Sequence, residues 1–193
     1  MKLLLLGTIG ENARQLSKLL LQYSLASRFG IQKMPEISRT SNGKPFFKHL
    51  PLSFNLSHSG PFALCAIGPS PVGVDIECVK PRRAGIERRI LTEGERERLK
   101  NATTYTEELI ALWTLKESYL KYTGTGLRVS PQTVEFWLEA DGAVRSSQKG
   151  LTFRWFAGRG YRAALCVKGE RLPQTIQWVP SEALLEREKE NAT

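Results

Sequence analysis

Gly68-Pro69-Ser70-Pro71, followed at once by Val72-Gly73-Val74-Asp75-Ile76-Glu77-Cys78, divides this chain in two. Two prolines and a glycine within four positions interrupt any regular element. The run after them reads as a strand, in which successive side chains take opposite faces. Val74 and Ile76 then point into a core, while Asp75 and Glu77 share the other face.

Outward toward the N-terminus, Leu3 to Leu6 reads as a first strand. That run is shorter than the roughly 7–15 apolar residues of a secretory leader, and no small-residue cleavage site follows it. Glu11 to Phe29 carries Leu16, Leu19, Leu20, Tyr23 and Ala26 at helical spacing, with Gly30 where a C-cap belongs. Asn42-Gly43 marks a turn. Leu52–His58 and Phe62–Ile67 read as strands joined through Ser59-Gly60-Pro61.

Outward toward the C-terminus, Thr92-x-x-Glu95 and Thr104-x-x-Glu107 both have the spacing of a capping box. The second is expected to open a long apolar helix from about Thr106 to Tyr122, ended by Gly124. Strands are expected at Thr133–Leu138, Leu151–Phe156, Tyr161–Val167 and Thr175–Val179, with a turn at Asp141-Gly142. The order predicts an α+β fold of two halves, residues 1–70 and 71–193, each a mainly antiparallel sheet packed on a long helix.

With 193 residues the chain suits one large domain or two small halves sharing a core. No stretch reaches the roughly 20 apolar residues needed to cross a bilayer. Cys65, Cys78 and Cys166 are odd in number, lack a C-x-x-C pair and sit in apolar runs, which implies free thiols in a reducing cytoplasm. The formal net charge of +9 favours encounters with anions without choosing among them.

The chemistry gathers on two segments. Asp75 and Glu77, two residues apart on a strand, start about 6.6 Å from each other and can lean toward one hard cation. An acidic strand face paired with lysines is the plainer alternative. Trp113, Glu117 and Lys121 follow one line along the long helix. With Trp113 buried, Glu117 lies at the edge of the core, where a carboxylate requires a partner or a metal. An i,i+4 pair between Glu117 and Lys121 is the plainer alternative there. Three carboxylates beside a lysine suit Mg²⁺ and phosphate. The glycines of Thr123 to Leu127 follow a helix, whereas a phosphate-cradling loop precedes one. His58 is open to a structural or a phosphate-binding reading.

Four stretches in order resemble the Sfp-type 4′-phosphopantetheinyl transferases: Gly43-Lys44-Pro45, Phe54-Asn55-Leu56-Ser57-His58-Ser59, Gly73-Val74-Asp75-Ile76-Glu77, and Trp113 to Lys121 closing with Gly124-Thr125-Gly126-Leu127. The resemblance implies a pseudo-symmetric pair of halves in one monomeric chain, with the active site at their interface. The small AcpS-type enzymes resemble a single half. At the matching positions Asp75, Glu77 and Glu117 would hold Mg²⁺ together with the pyrophosphate of coenzyme A, which Lys121 would also contact. Gly43, Lys44 and Pro45 would line the nucleotide end. Ser57 and His58 would bind near the 3′-phosphate, as would Arg14, with Lys18 or Arg39 in support.

The implied reaction transfers phosphopantetheine from coenzyme A to a serine of an acyl or peptidyl carrier protein, releasing 3′,5′-ADP. Glu117 or a metal-bound water would be the general base. The acidic surface expected of such a carrier suits the positive charge of this chain. A Mg²⁺-dependent nuclease, or a basic nucleic-acid-binding module, is the competing reading; neither gives the Gly-Lys-Pro and Asn-Leu-Ser-His-Ser segments a task. No nucleic acid or membrane partner is expected.

Overall fold

The computed structural model describes residues 2–139, 141–169 and 171–190, and the side chain of Leu127 lies outside that set. The chain runs through β1 (Leu4–Ile9), α1 (Ala13–Phe29), β2 (Ile37–Arg39), β3 (Pro45–Phe47), β4 (Ser53–Ser59) and β5 (Phe62–Gly68). After the Gly68–Pro71 break come β6 (Val72–Cys78), α2 (Glu87–Ile90), α3 (Glu93–Lys100) and α4 (Tyr105–Thr123). β7 (Phe136–Leu138), β8 (Val144–Ser146), β9 (Leu151–Gly158), β10 (Tyr161–Lys168), β11 (Gln177–Trp178) and α5 (Ser181–Glu190) complete it.

Hydrophobic alternation stacks these elements in four layers. Leu16, Leu19, Leu20 and Leu25 of α1 pack on Ala63, Cys65 and Ile67, one face of β5. The other face of β5, Phe62, Leu64 and Ala66, meets Val72, Val74 and Ile76 of β6 and Ala163, Leu165 and Val167 of β10. Ala164 and Cys166, on the far side of β10, receive Leu109, Leu112 and Leu115 of α4. The sequence of layers is helix, sheet, sheet, helix, and every residue of β5 is buried. The α+β expectation of a mainly antiparallel sheet on a long helix, given twice, is met: β11-β1-β5-β4 lies under α1 and β6-β10-β9 under α4. No helix among the described residues is long and apolar enough to cross a membrane.

Three expectations are corrected. Thr104 does not cap α4: its backbone is not extended, its side chain makes no cap hydrogen bond, and Glu107 is paired with Arg162 instead. Thr133 closes a 3-10 turn, Pro131–Thr133, so the strand begins at Phe136. The run Thr175–Val179 shortens to β11, which leaves the second half and pairs parallel with β1, Leu6 opposite Gln177. α5 follows it back: Gln15 on α1 donates to Glu188, and Leu184 enters the core beneath α1.

Candidate active site

Among the described residues β6 is an edge strand, hydrogen-bonded to β10 on one side alone. An open edge carries unpaired backbone N–H groups. Here β4 supplies side chains to them. Asn55 Oδ1 accepts from the N–H of Val74 at 2.8 Å, Ser57 Oγ from Ile76 at 3.2 Å, and Ser59 Oγ from Cys78 at 3.2 Å. The alternation Asn-x-Ser-x-Ser is thus a ladder that joins the two halves.

The same hydroxyls place the carboxylates. Ser57 Oγ donates to Asp75 Oδ1 at 2.8 Å, and Ser59 Oγ donates to Glu77 Oε2 at 2.7 Å. Each serine accepts from one backbone N–H and donates to the acid one residue earlier. Period two on both strands is what repeats the unit.

α4 runs close above β6 because position 73 has no side chain. A Cβ there would overlap the carbonyl oxygen of Ser118 and the backbone nitrogen of Tyr122. That approach delivers Lys121 Nζ to Asp75 Oδ1 at 2.6 Å and to Ser57 Oγ at 2.9 Å. Trp113, earlier on the same line of α4, donates its indole N–H to Glu77 Oε1 at 3.3 Å. Arg82, just past β6, donates to Glu77 Oε2 at 2.7 Å.

Electrostatics single out two carboxylates. Asp75 is 3% exposed, and its Oδ2 is buried without a hydrogen-bond partner among the described residues. An orphaned carboxylate oxygen costs stability and calls for a ligand. Burial pushes the Asp75 carboxyl above its ordinary range, against the pull of Lys121. Glu117 is half-buried, and no ion pair or hydrogen bond among the described residues ends on its carboxylate. Its pKa is pushed up to about 7, first by burial and then by the nearby charge of Asp75, with Lys121 opposing. The plainer alternative, an i,i+4 pair between Glu117 and Lys121, is not formed: Lys121 pairs with Asp75 instead. Among the described residues no three such ligands stand at metal-binding spacing as the side chains lie, and Asp75 and Glu77 are paired with Lys121 and Arg82.

The remaining candidates divide. Lys44 Nζ donates to the carbonyls of Tyr122 at 2.7 Å and Val72 at 3.2 Å, so it caps the C-terminal end of α4. Gly43 and Pro45 flank it in the β2–β3 hairpin, Gly43 with φ +86°. Ser57 and His58, expected side by side on one ligand, take opposite faces of β4: Ser57 is buried on the Asp75 side and His58 is exposed. The register sets His58 against Ala63, and Ala63 against Thr8, at the end of the sheet from which α1 departs. The first turn of α1 carries Arg14, exposed, at that same end. Trp113 is half-buried rather than enclosed. Asn55, Ser59, Trp113 and Arg82 complete the site and were not among the expected contacts; the alternation of β4 was the one signal for the first two.

The sequence profile described as the 4′-phosphopantetheinyl transferase superfamily matches residues 71–166. The 4′-phosphopantetheinyl transferase Sfp of Bacillus subtilis is 33% identical over 151 residues, covering 74% of this chain and 67% of that protein. Another Bacillus subtilis protein, a 4′-phosphopantetheinyl transferase, is 35% identical over 119 residues, covering 60% and 50%. Among solved structures, holo-[acyl-carrier-protein] synthase (AcpS) of Thermotoga maritima covers 53% of this chain and 64% of its own at 28% identity, with a TM-score of 0.45.

Proposed function

The chain belongs to the 4′-phosphopantetheinyl transferase superfamily, and from that membership we propose that it moves phosphopantetheine from coenzyme A to a carrier-protein serine at the carboxylates that β4, β6 and α4 bring together. The observation that carries the assignment of the site is the hub at Asp75. One oxygen there is held by Ser57 and Lys121, and the other is buried and free to receive a ligand.

The donor set fits a hard divalent cation. Mg²⁺ prefers carboxylate oxygens and completes its shell with water and phosphate. Asp75, Glu77 and Glu117 would hold it, and bound there it would neutralise charge developing on the phosphates. Every other part of the chemistry falls to side chains of this chain. Lys121, steadied by Asp75 and Ser57, faces the pyrophosphate. Glu117, half-buried and without an ion pair among the described residues, would take the proton that the acceptor serine gives up. The serine oxygen bonds to the β-phosphorus as the bond to the α–β bridging oxygen breaks, and 3′,5′-ADP leaves with those electrons. Positioning supplies most of the remainder.

Arg14 and His58, at one end of the first sheet, would meet the 3′-phosphate, and the Gly43–Pro45 hairpin the adenine. Ser57 has its hydroxyl proton committed to Asp75, so its part is to hold that carboxylate. The acceptor would be an acyl or peptidyl carrier protein whose acidic surface complements the +9 of this chain. Because β4 of one half and β6 and α4 of the other both build the site, a monomer in the cytoplasm is the proposed working form. Superfamily membership favours this reading over a nuclease.

Intact-mass measurement of an apo acyl carrier protein incubated with this chain, coenzyme A and Mg²⁺ tests the proposal. The expected result is a gain of one phosphopantetheine group that EDTA suppresses. No gain across fatty-acid and peptide-synthetase carriers, from protein shown to be folded, would count against it.

A further inference from the structure

Arg82 belongs to none of the four stretches that carry the resemblance, yet it reaches the site. It sits on the segment after β6, with its side chain 27% exposed, and its Nη2 lies 2.7 Å from Glu77 Oε2. Ser59 Oγ donates to the same oxygen, and the Trp113 indole takes Oε1. Both oxygens of Glu77 are therefore occupied, whereas Asp75 keeps one open. Of the groups on Glu77, Arg82 is the one that carries charge, and a divalent cation reaching this carboxylate competes with it directly.

We propose that Arg82 is a resident counter-ion of Glu77 that the divalent cation displaces, and that its freed guanidinium then binds phosphate oxygens of the anionic co-substrate. The inference rests on the reading of Asp75, Glu77 and Glu117 given above. A guanidinium suits both tasks, since its planar fork matches carboxylate and phosphate alike. The exchange links the two ligands: the cation frees the arginine, and the arginine helps hold the co-substrate. It also gives the two binding steps opposite signs. Removing Arg82 takes away a competitor from the cation and a donor from the phosphates.

The experiment compares wild type with Arg82→Gln, Arg82→Lys and Arg83→Gln; Arg83 is an exposed neighbour of equal charge. Calorimetric titration with Mn²⁺ alone reads the first step, and KM for coenzyme A in the carrier assay reads the second. Arg82→Gln is expected to bind Mn²⁺ about three- to fivefold tighter, the scale of one partly exposed ion pair. Its KM for coenzyme A is expected to rise about tenfold, the loss of one charged hydrogen bond. Arg82→Lys should fall between it and wild type. Unchanged or weaker Mn²⁺ binding by Arg82→Gln overturns the proposal, as does an unchanged KM or an equal effect of Arg83→Gln. A wild-type chain that transfers nothing speaks against the function itself; the Mn²⁺ titration needs no carrier and still reads Arg82.

Discussion

Two lysines five positions apart on α4 make ion pairs of the same chemistry and opposite character. Lys116 lies 2.7 Å from Glu95, both side chains fully buried. It also donates to the carbonyls of Val134 at 2.6 Å and Pro131 at 3.1 Å. Glu95 in turn accepts from the backbone N–H groups of Thr92 and Phe136. Lys121 lies 2.6 Å from Asp75, but it is part-exposed and one oxygen of its partner is bare. Completeness is the difference. A buried network with every atom matched fixes α3, α4 and β7 to one another, whereas the network at Asp75 leaves one buried acceptor unmatched.

The strongest way to break the comparison is to cut the closed pair. Lys116→Met leaves Glu95 buried and uncompensated, and is expected to cost about 3–5 kcal/mol. Thermal unfolding should show a fall of roughly 10 °C or more in a chain of this size. A fall below about 3 °C would mean that the pair is not the anchor described here.

The open pair should respond in the opposite way. Asp75→Ala is expected to lower kcat/KM for transfer by about 10²–10³-fold or more, the scale for loss of a preorganised charged group. Its Tm should stay within about 2 °C of wild type, since the substitution also removes an orphaned buried oxygen. Near-wild-type turnover would remove Asp75 from the chemistry.

A smaller effect sharpens the contrast through pH. The Glu117 carboxyl titrates at about 7 in the folded chain against 4.5 when unfolded. Its raised pKa means that the folded state binds the proton more tightly, so stability falls as pH rises from 4.5 through 7. In the metal-free protein Glu117→Gln abolishes that fall. Discounted to about a third of the full linkage energy because solvent screens a half-buried carboxylate, the effect is about 1 kcal/mol, so the variant should melt roughly 2–4 °C above wild type at pH 8, with the gap closing below about pH 4.5. A gap independent of pH would show that Glu117 is not the group responsible.

Where a pattern is local, the sequence announced it. The alternation of Val74, Asp75, Ile76 and Glu77 put both carboxylates on one face, and the line Trp113, Glu117, Lys121 brought the indole to Glu77 and the ammonium to Asp75. Thr92 and Glu95 form their capping box as the spacing predicts. Thr104 and Glu107 have the same spacing and do not, because Arg162, far along the chain, competes for the glutamate. Long-range competition of that kind leaves no trace in a window of four residues. Arg82 was hidden for the same reason. Its partner Glu77 is fixed by packing between segments, and nothing in a loop arginine advertises which carboxylate it will meet.

The return of β11 to β1 concerns the making of the molecule. About 110 residues separate the end of β5 from the start of β11, so at about 5–20 residues per second a ribosome needs roughly 5–20 s to deliver the missing edge. Through that interval the outer rim of β1, beside the exposed Ile9, stands open to any extended segment nearby. The first sheet therefore cannot be completed until nearly the whole chain has been made, and where its last strand is encoded sets the time at which that edge can close.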